Sequence, residues 1–157
     1  MHQKTAISFA VVIAPIAAAF FLVNQKSTDA HCQVPCGIYD DKARIAQLSE
    51  DAATIEKAIH NIRELAGKHD ANAFNQAARW VDTKEHHASH MITVVAEYFL
   101  TQKVKPVEKG AADYGAYLEK LADHHAVMRA AMKCKQSANP DTVAPLRAAI
   151  ERLASHY

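Results

Sequence analysis

Apolar residues recur at alternating steps of three and four from Asp40 onward, and this spacing limits the possible folds more than any other feature of the chain. Such a repeat lays the apolar residues along one face of an α-helix. Breaks at glycine and proline divide the pattern into four stripes, over residues 45–66, 74–99, 114–132 and 143–153. Each stripe needs another apolar face to pack against, so we expect an all-α fold.

The connections between the predicted helices are short, and short connections place consecutive helices side by side in opposite directions. We therefore predict an up-and-down antiparallel four-helix bundle over residues 40–157. Only 4 of the 157 residues are glycine, which agrees with helices, and no segment has the alternation of a half-buried strand. The formal net charge of +1 gives no electrostatic reason to expect a nucleic-acid partner.

Residues 1–30 differ from the rest of the chain and resemble a leader. After a positive start, residues 6–23 are uncharged and apolar, and the small residues Thr28 and Ala30 stand three and one positions before His31. This arrangement is typical of a cleaved signal peptide and predicts export to the periplasm or the extracellular space. Two alternatives stay open: an uncleaved membrane anchor, and a pro-sequence removed by a dedicated peptidase, which would leave the protein in the cytoplasm.

Residues 31–39, which read His-Cys-Gln-Val-Pro-Cys-Gly-Ile-Tyr, gather many metal donors once cleavage frees His31. The His31 amine and the deprotonated amide of Cys32 provide two nitrogens, and the thiolates of Cys32 and Cys36 provide two sulfurs. The His31 imidazole can reach an axial position. A planar set of nitrogen and sulfur donors suits divalent nickel or copper, whereas structural zinc prefers a tetrahedron. We call these nine residues the hook.

The same donors favour redox chemistry at the metal. Thiolates and a deprotonated amide donate electrons strongly, so they stabilise trivalent nickel. Pro35 stiffens the turn between the cysteines, and Gly37 allows a sharp path after the second thiolate. Tyr39 follows closely enough to line the open face. The freed amine has an unperturbed pKa of about 7.7–8.0, so we expect metal binding to weaken in acid.

The string His-Cys-x-x-Pro-Cys-Gly-x-Tyr directly after a processing site resembles the nickel superoxide dismutases, whose mature chains begin at this histidine and continue into a four-helix bundle. The resemblance implies that His31, Cys32 and Cys36 bind one nickel ion per subunit and that Tyr39 gates substrate access, so these four residues form the catalytic site. It further implies an oxidoreductase that converts superoxide to oxygen and hydrogen peroxide by nickel(II)/nickel(III) cycling. The family assembles as a homohexamer after a peptidase has processed the chain.

The chain departs from the better-known members around the hook. Gln33 stands where many members have an aspartate, and Ala46 falls near the position of the acid that, with a basic residue, holds the axial imidazole in those members. The basic residue falls near His87, and a second active-site tyrosine corresponds to Tyr98 if a gap is allowed. The groups that orient His31 are therefore left open.

Other donors in the chain have simpler interpretations. After export, Cys32 and Cys36 could instead close a small disulfide loop, whereas Cys134 is expected to be a buried thiol. His86 and His90 are four residues apart on one helix face and could bind a metal, but hydrogen-bonded or solvated histidines are the more common case.

Two further histidines and one glutamate also have simpler interpretations than metal binding. His124 and His125 are expected to be hydrogen-bonded or solvated. Glu85 falls on the apolar seam of the second helix, where a carboxylate needs a partner. It is either a buried structural anchor or a neighbour of the metal site.

A second class of function fits the same donors. An exported bundle that stores or delivers nickel or copper would use the hook and the histidines without turnover. Several metal ions per chain and no superoxide turnover would favour it. Neither function needs a stable membrane association once residues 1–30 have been removed.

Overall fold

The computed structural model describes residues 41–157, which form four α-helices and no β-strand. The helices are, in chain order, α1 (Asp41–Leu65), α2 (Ala71–Thr93), α3 (Tyr114–Gln136) and α4 (Val143–Ala154). A π-helix, Val94–Lys103, continues α2, and a short 3₁₀ helix, Pro140–Thr142, precedes α4. The prediction of four helices is confirmed, whereas the hook lies outside the described residues. No helix within residues 41–157 is long and apolar enough to cross a bilayer.

Side-chain contacts between α1 and α2 run in opposite order along the two helices. Asp41, at the start of α1, contacts Tyr98 in the π-helix that continues α2. Further along α1, the ammonium of Lys57 lies 5.9 Å from the ring centroid of Trp80, which is in the first half of α2. The two helices are therefore antiparallel.

The contacts of α3 extend the same arrangement. Near the end of α3, Cys134 meets Lys84 of α2 and Thr142 just before α4. At the middle of α3, the ring of His124 lies 5.7 Å from that of Phe99, which follows α2. Since α1 also packs against α4, the four helices form a closed bundle.

The core lies between the four helices and is built from aliphatic side chains and one phenylalanine. The largest fully buried apolar residues are Leu48, Ile55, Ile59, Met91, Val95, Phe99, Val127, Leu146 and Leu153. Most of them fall on the stripes that the spacing predicts, which explains why the fold class follows from the sequence.

The first half of α2 differs from its predicted stripe. Phe74 and Val81 are 78% and 42% exposed, so the prediction that they lie on the buried seam is wrong. The buried face of α2 runs instead through Ala73, Lys84 and Ala88. Because α2 is rich in alanine, its sequence offers two possible buried faces. One of them contains Lys84, so the sequence alone predicts that this face is exposed to solvent.

The π-helix is a feature that the apolar spacing does not predict. Backbone and side-chain groups donate to carbonyls five residues back. The backbone N–H of Val104 donates to the carbonyl of Phe99 at 2.9 Å, and the side-chain hydroxyl of Thr101 donates to the carbonyl of Ala96 at 2.8 Å. A π-helix is wider than an α-helix and shifts the direction of the side chains that it carries. It thus changes which residues after Thr93 face α1.

Lys84 is a buried lysine on α2, with 4% of its surface exposed. Its ammonium donates to the backbone carbonyl of Cys134 at 2.8 Å and to that of Lys135, and it pairs with Glu85 at 3.1 Å. The two carbonyls belong to the last turn of α3, where the helix lacks its own donors and its dipole is negative. Lys84 therefore caps α3 from a neighbouring helix.

Replacing Lys84 with methionine removes the ammonium and keeps a side chain of similar length. Two carbonyls of α3 then lose a buried donor, so we expect the free energy of unfolding to fall by about 2–4 kcal/mol in urea titrations. Lys133→Met, at an exposed position on α3, should change it by less than about 0.5 kcal/mol. Equal effects of the two variants would contradict the capping role.

His124 is fully buried on α3 and makes two hydrogen bonds. Its Nδ1 lies 2.6 Å from the carbonyl oxygen of Lys120, which can only accept, so Nδ1 carries the proton. In the neutral ring Nε2 is then an acceptor, and it receives the hydroxyl of Tyr157 at 2.9 Å. Burial lowers the pKa of His124, because the imidazolium form loses its contact with water.

A lowered pKa makes His124 a source of acid sensitivity. Its stabilising contribution is complete above its unfolded pKa of about 6.5 and is lost as the pH falls through the lower folded value. We expect His124→Gln, which cannot take up this proton, to have a smaller acid-induced loss of stability in urea titrations between about pH 7.5 and 5. His125→Gln changes an exposed neighbour and should follow the wild type. Identical pH profiles for wild type and His124→Gln would argue against this source.

Candidate functional site

The four residues of the predicted catalytic site, His31, Cys32, Cys36 and Tyr39, lie outside the described residues, so their arrangement stays a prediction. The described chain begins at Asp41, two positions after Tyr39. The part of the bundle around Asp41 is therefore where the hook joins it, and the side chains there are the described part of the candidate site.

Asp41 ties the start of α1 to the π-helix. Its Oδ1 accepts the hydroxyl of Tyr98 at 2.9 Å and lies 3.0 Å from Nζ of Lys103. Two cations flank the Tyr98 ring: the guanidinium of Arg44 at 5.1 Å and the ammonium of Lys103 at 5.7 Å from the centroid. This cluster, which we call the junction, ties the first described turn of α1 to the π-helix.

Burial and hydrogen bonding determine which groups of the junction are protonated. Burial raises the pKa of Tyr98, and the hydrogen bond to Asp41 raises it further. The hydrogen bond to Asp41 also raises the pKa of Lys103. At neutral pH, Tyr98 is therefore a neutral phenol that donates to a carboxylate, and Lys103 is an ammonium that balances the charge of that carboxylate.

A second buried carboxylate, Asp51, lies further along α1. It is 5% exposed, and its two oxygens take one histidine each: Oδ1 lies 2.7 Å from Nδ1 of His87, and Oδ2 lies 2.7 Å from Nδ1 of His90. An ionised carboxylate can only accept, so both imidazoles carry a proton on Nδ1. Asp51 therefore fixes the orientation and the tautomer of two histidines at once.

The two histidines are about one-third exposed, at 32% and 33% of their side-chain surface. When the rings are neutral, each Nε2 is an acceptor or a potential ligand, and a carboxylate behind Nδ1 makes it a stronger donor to a cation or proton. The sequence pointed to His87 through the resemblance but did not predict Asp51. A period of 3.6 places Asp51 on the buried side of α1 next to Ala52, and this position is the signal that could have found it.

The remaining candidate residues have structural explanations. Glu85 is 40% exposed and pairs with Lys84 at 3.1 Å and Lys135 at 3.6 Å, which makes it a structural anchor at the rim of the seam. His86 and His125 are exposed. The expectation of hydrogen bonding is confirmed for His124.

Two further findings concern metals and thiols. Cys134 is a free, buried thiol, as predicted, and burial raises its pKa. Among residues 41–157, no group of three or more histidine, cysteine or acidic side chains is arranged to hold a metal ion. A metal site formed by His86 and His90 would therefore have no third protein ligand among residues 41–157.

A cleft of about 290 Å³ opens beside the junction. Three lysines and one aspartate provide its formal charges: Lys103, Lys105, Lys120 and Asp113, and His156 completes the polar lining. The excess of positive charge attracts small anions. We call this feature the basic cleft, and Lys103 joins it to Asp41.

Comparison with known proteins gives one match. The model of a family described as nickel-containing superoxide dismutase matches residues 26–157, which include the hook and the whole described bundle. Neither a curated protein nor a solved structure matched the chain.

Replacing Asp51 with asparagine tests the shared carboxylate. The amide oxygen can accept from one imidazole, but the amide nitrogen then faces the N–H of the other, so one histidine must turn or change tautomer. We expect ¹⁵N NMR of the side chains to detect this change at His87 or His90, and the free energy of unfolding to fall by about 1–3 kcal/mol. Glu50→Gln, at the exposed neighbouring position, should alter neither. Unchanged tautomers in Asp51→Asn would refute the assignment.

Proposed function

The chain belongs to the family of nickel-containing superoxide dismutases and is an oxidoreductase, and we propose that it converts superoxide to oxygen and hydrogen peroxide at one nickel ion per subunit, bound by the hook. The observation that carries the proposal is a complete donor set, His31, Cys32 and Cys36, within the span that the family model matches. The described bundle supplies the anchored end from which such a hook extends.

The donor set fits nickel on chemical grounds. An amine, a deprotonated amide and two thiolates favour a planar divalent ion and also stabilise its trivalent state. Bound nickel supplies a one-electron couple that superoxide can both reduce and oxidise. In the proposal, His31 would hold the metal through its amine and its imidazole, Cys32 and Cys36 would hold it through their thiolates, and Tyr39 would limit the access of substrate.

Removal of residues 1–30 is part of the proposed function. An interior His31 would offer an amide nitrogen in place of the amine, and the planar set would lose one strong donor. A signal peptidase acting during export, or a peptidase specific for a pro-sequence in the cytoplasm, produces the same free amine. The small residues Thr28 and Ala30 support the first route.

The basic cleft supports an anionic substrate. Superoxide carries one negative charge, and Lys103, Lys105 and Lys120 raise the local concentration of small anions beside the end of the bundle where the hook begins. Lys103 is partly neutralised by Asp41 at 3.0 Å, so Lys105 and Lys120 carry more of this attraction.

Asp51 and His87 are proposed to replace the acid and the base that hold the axial imidazole in better-known members. Ala46 has no carboxylate to offer, whereas Asp51 holds the Nδ1–H of His87, whose side chain is 32% exposed. His87 contacts α1 through Asp51, and Tyr98 contacts it through Asp41, so both lie on the face of α2 and the π-helix that packs against α1. In this proposal His87 is a positioning residue that acts on His31.

Assembly as a homohexamer is also part of the proposal and rests on family membership. Three large apolar side chains in the described structure lie at the surface: Phe74 at 78%, Val81 at 42% and Leu118 at 46% exposure. We propose that copies of the chain cover these side chains, because burying exposed apolar area stabilises subunit contacts.

Serine variants of the hook test the proposed function. Cys32→Ser or Cys36→Ser should remove nickel and superoxide turnover together, as measured by metal analysis and by the decay of superoxide. Cys134→Ala, which changes a buried thiol with a raised pKa, is the matched control and should keep both. A serine variant with full activity would overturn the assignment of the ligands.

The intact mass of the mature, metal-loaded protein tests processing and stoichiometry. A chain that begins at His31 and carries one nickel ion supports the enzyme. Several metal ions per chain without superoxide turnover would identify the alternative, a metal-storage or metal-delivery bundle. A chain that keeps residues 1–30 would contradict a site built on the free amine.

A further inference from the structure

Two tyrosines near the hook end of the bundle each donate a hydrogen bond to a base. The hydroxyl of Tyr98 donates to Oδ1 of Asp41 at 2.9 Å. The hydroxyl of Tyr157 donates to Nε2 of His124 at 2.9 Å, and the bond from Nδ1 to the Lys120 carbonyl leaves that Nε2 unprotonated. A phenol held against a base loses an electron more easily than an isolated one, because its proton can move to the base as the electron leaves.

Phe99 connects the two tyrosines. Its ring centroid lies 5.1 Å from that of Tyr98 and 4.7 Å from that of Tyr157, and its side chain is fully buried. The three rings form a continuous path of aromatic contacts that begins at the junction. Core packing alone explains why Phe99 is apolar, but it does not require both neighbours to be tyrosines with a base at the hydroxyl.

The surroundings of Tyr157 favour a coupled transfer of electron and proton. The ammonium of Lys120 lies 4.1 Å from the ring centroid, so a positively charged ring would be repelled. Loss of the proton to His124 at the same time avoids that charge. Burial also raises the pKa of Tyr157, which keeps the phenol protonated until it is oxidised.

We propose that Tyr98, Phe99 and Tyr157 form an electron relay that carries oxidising equivalents away from the hook end of the bundle and protects the hook from its own product. The proposal rests on the proposed function, because hydrogen peroxide formed at the hook is the source of the oxidant. The relay ends at Tyr157, beside Lys120 of the basic cleft, where superoxide can reset it.

Superoxide gives one electron to hydrogen peroxide, which splits into hydroxide and a hydroxyl radical while the superoxide leaves as oxygen. The hydroxyl radical takes one electron from Tyr98 and, with one proton from solvent, becomes water, while Tyr98 passes its own proton to Asp41. The Tyr98 radical then takes an electron from Tyr157 across Phe99 and recovers its proton from Asp41. Tyr157 gives its proton to His124. Superoxide finally returns one electron to Tyr157 and leaves as oxygen, and His124 returns the proton.

Oxidation of the metal-free protein tests the relay without nickel. Azidyl radicals generated by pulse radiolysis remove single electrons, and the tyrosyl radical is followed by its visible absorption and its EPR signal. We expect a long-lived tyrosyl radical in the wild type and the loss of that long-lived component in Tyr157→Phe. Tyr114→Phe removes a tyrosine whose ring contacts Tyr117 instead, and it should match the wild type.

Further variants separate the relay from simple surface oxidation. Tyr98→Phe should slow the appearance of the Tyr157 radical, and His124→Gln should shorten its lifetime, because the proton acceptor is changed. An unchanged radical in Tyr157→Phe, or an equal loss in Tyr114→Phe, would overturn the proposal. Circular dichroism of each variant checks that the helices are intact, since Tyr157→Phe keeps the ring.

The nickel-loaded protein gives a second readout that depends on the proposed function. Tyr157→Phe should begin with wild-type turnover and lose activity faster than the wild type under added hydrogen peroxide. Equal rates of inactivation would contradict a protective role. If the protein binds no nickel, the radical measurement on the metal-free chain still decides whether the relay exists, so the two failures are distinguishable.

Discussion

The Asp41 carboxylate is the interaction on which the functional end of the bundle depends. It receives the hydroxyl of Tyr98 and the ammonium of Lys103, and both of these belong to the π-helix. One side chain therefore ties the first described turn of α1 to the π-helix and to the basic cleft that Lys103 lines.

Polar side chains inside the bundle follow a common rule. Asp51, Lys84 and His124 are its buried polar residues in the described chain, and each contacts partners on a second element. A buried polar group without a partner costs about 1–3 kcal/mol, so each of these residues makes one packing of the helices better than the alternatives. The apolar stripes bring the helices together, and the polar contacts select their register.

The fold was largely predictable and the site only in part. Four stripes with short connections lead directly to the bundle, since apolar spacing determines which helix faces meet. The spacing could not place Lys84 in the core, because the partners that make its burial acceptable are carbonyls of α3, distant in sequence. Asp51 was missed for the same reason, and the π-helix has no strong sequence signal. The proposed hook donors follow from local chemistry, the chelation of one metal by adjacent residues, and they stay a prediction because they lie outside the described residues.

The cap that Lys84 places on α3 has a consequence for the order of folding. The ammonium and the carbonyl of Cys134 are separated by 50 positions in the chain, so the last turn of α3 has this donor only after α2 has docked. Most of the stability of a helix in a protein comes from the packing of one face against its neighbours. α3 is therefore expected to fray at its end in any partly assembled intermediate, and the helices should gain their final lengths together in one cooperative transition.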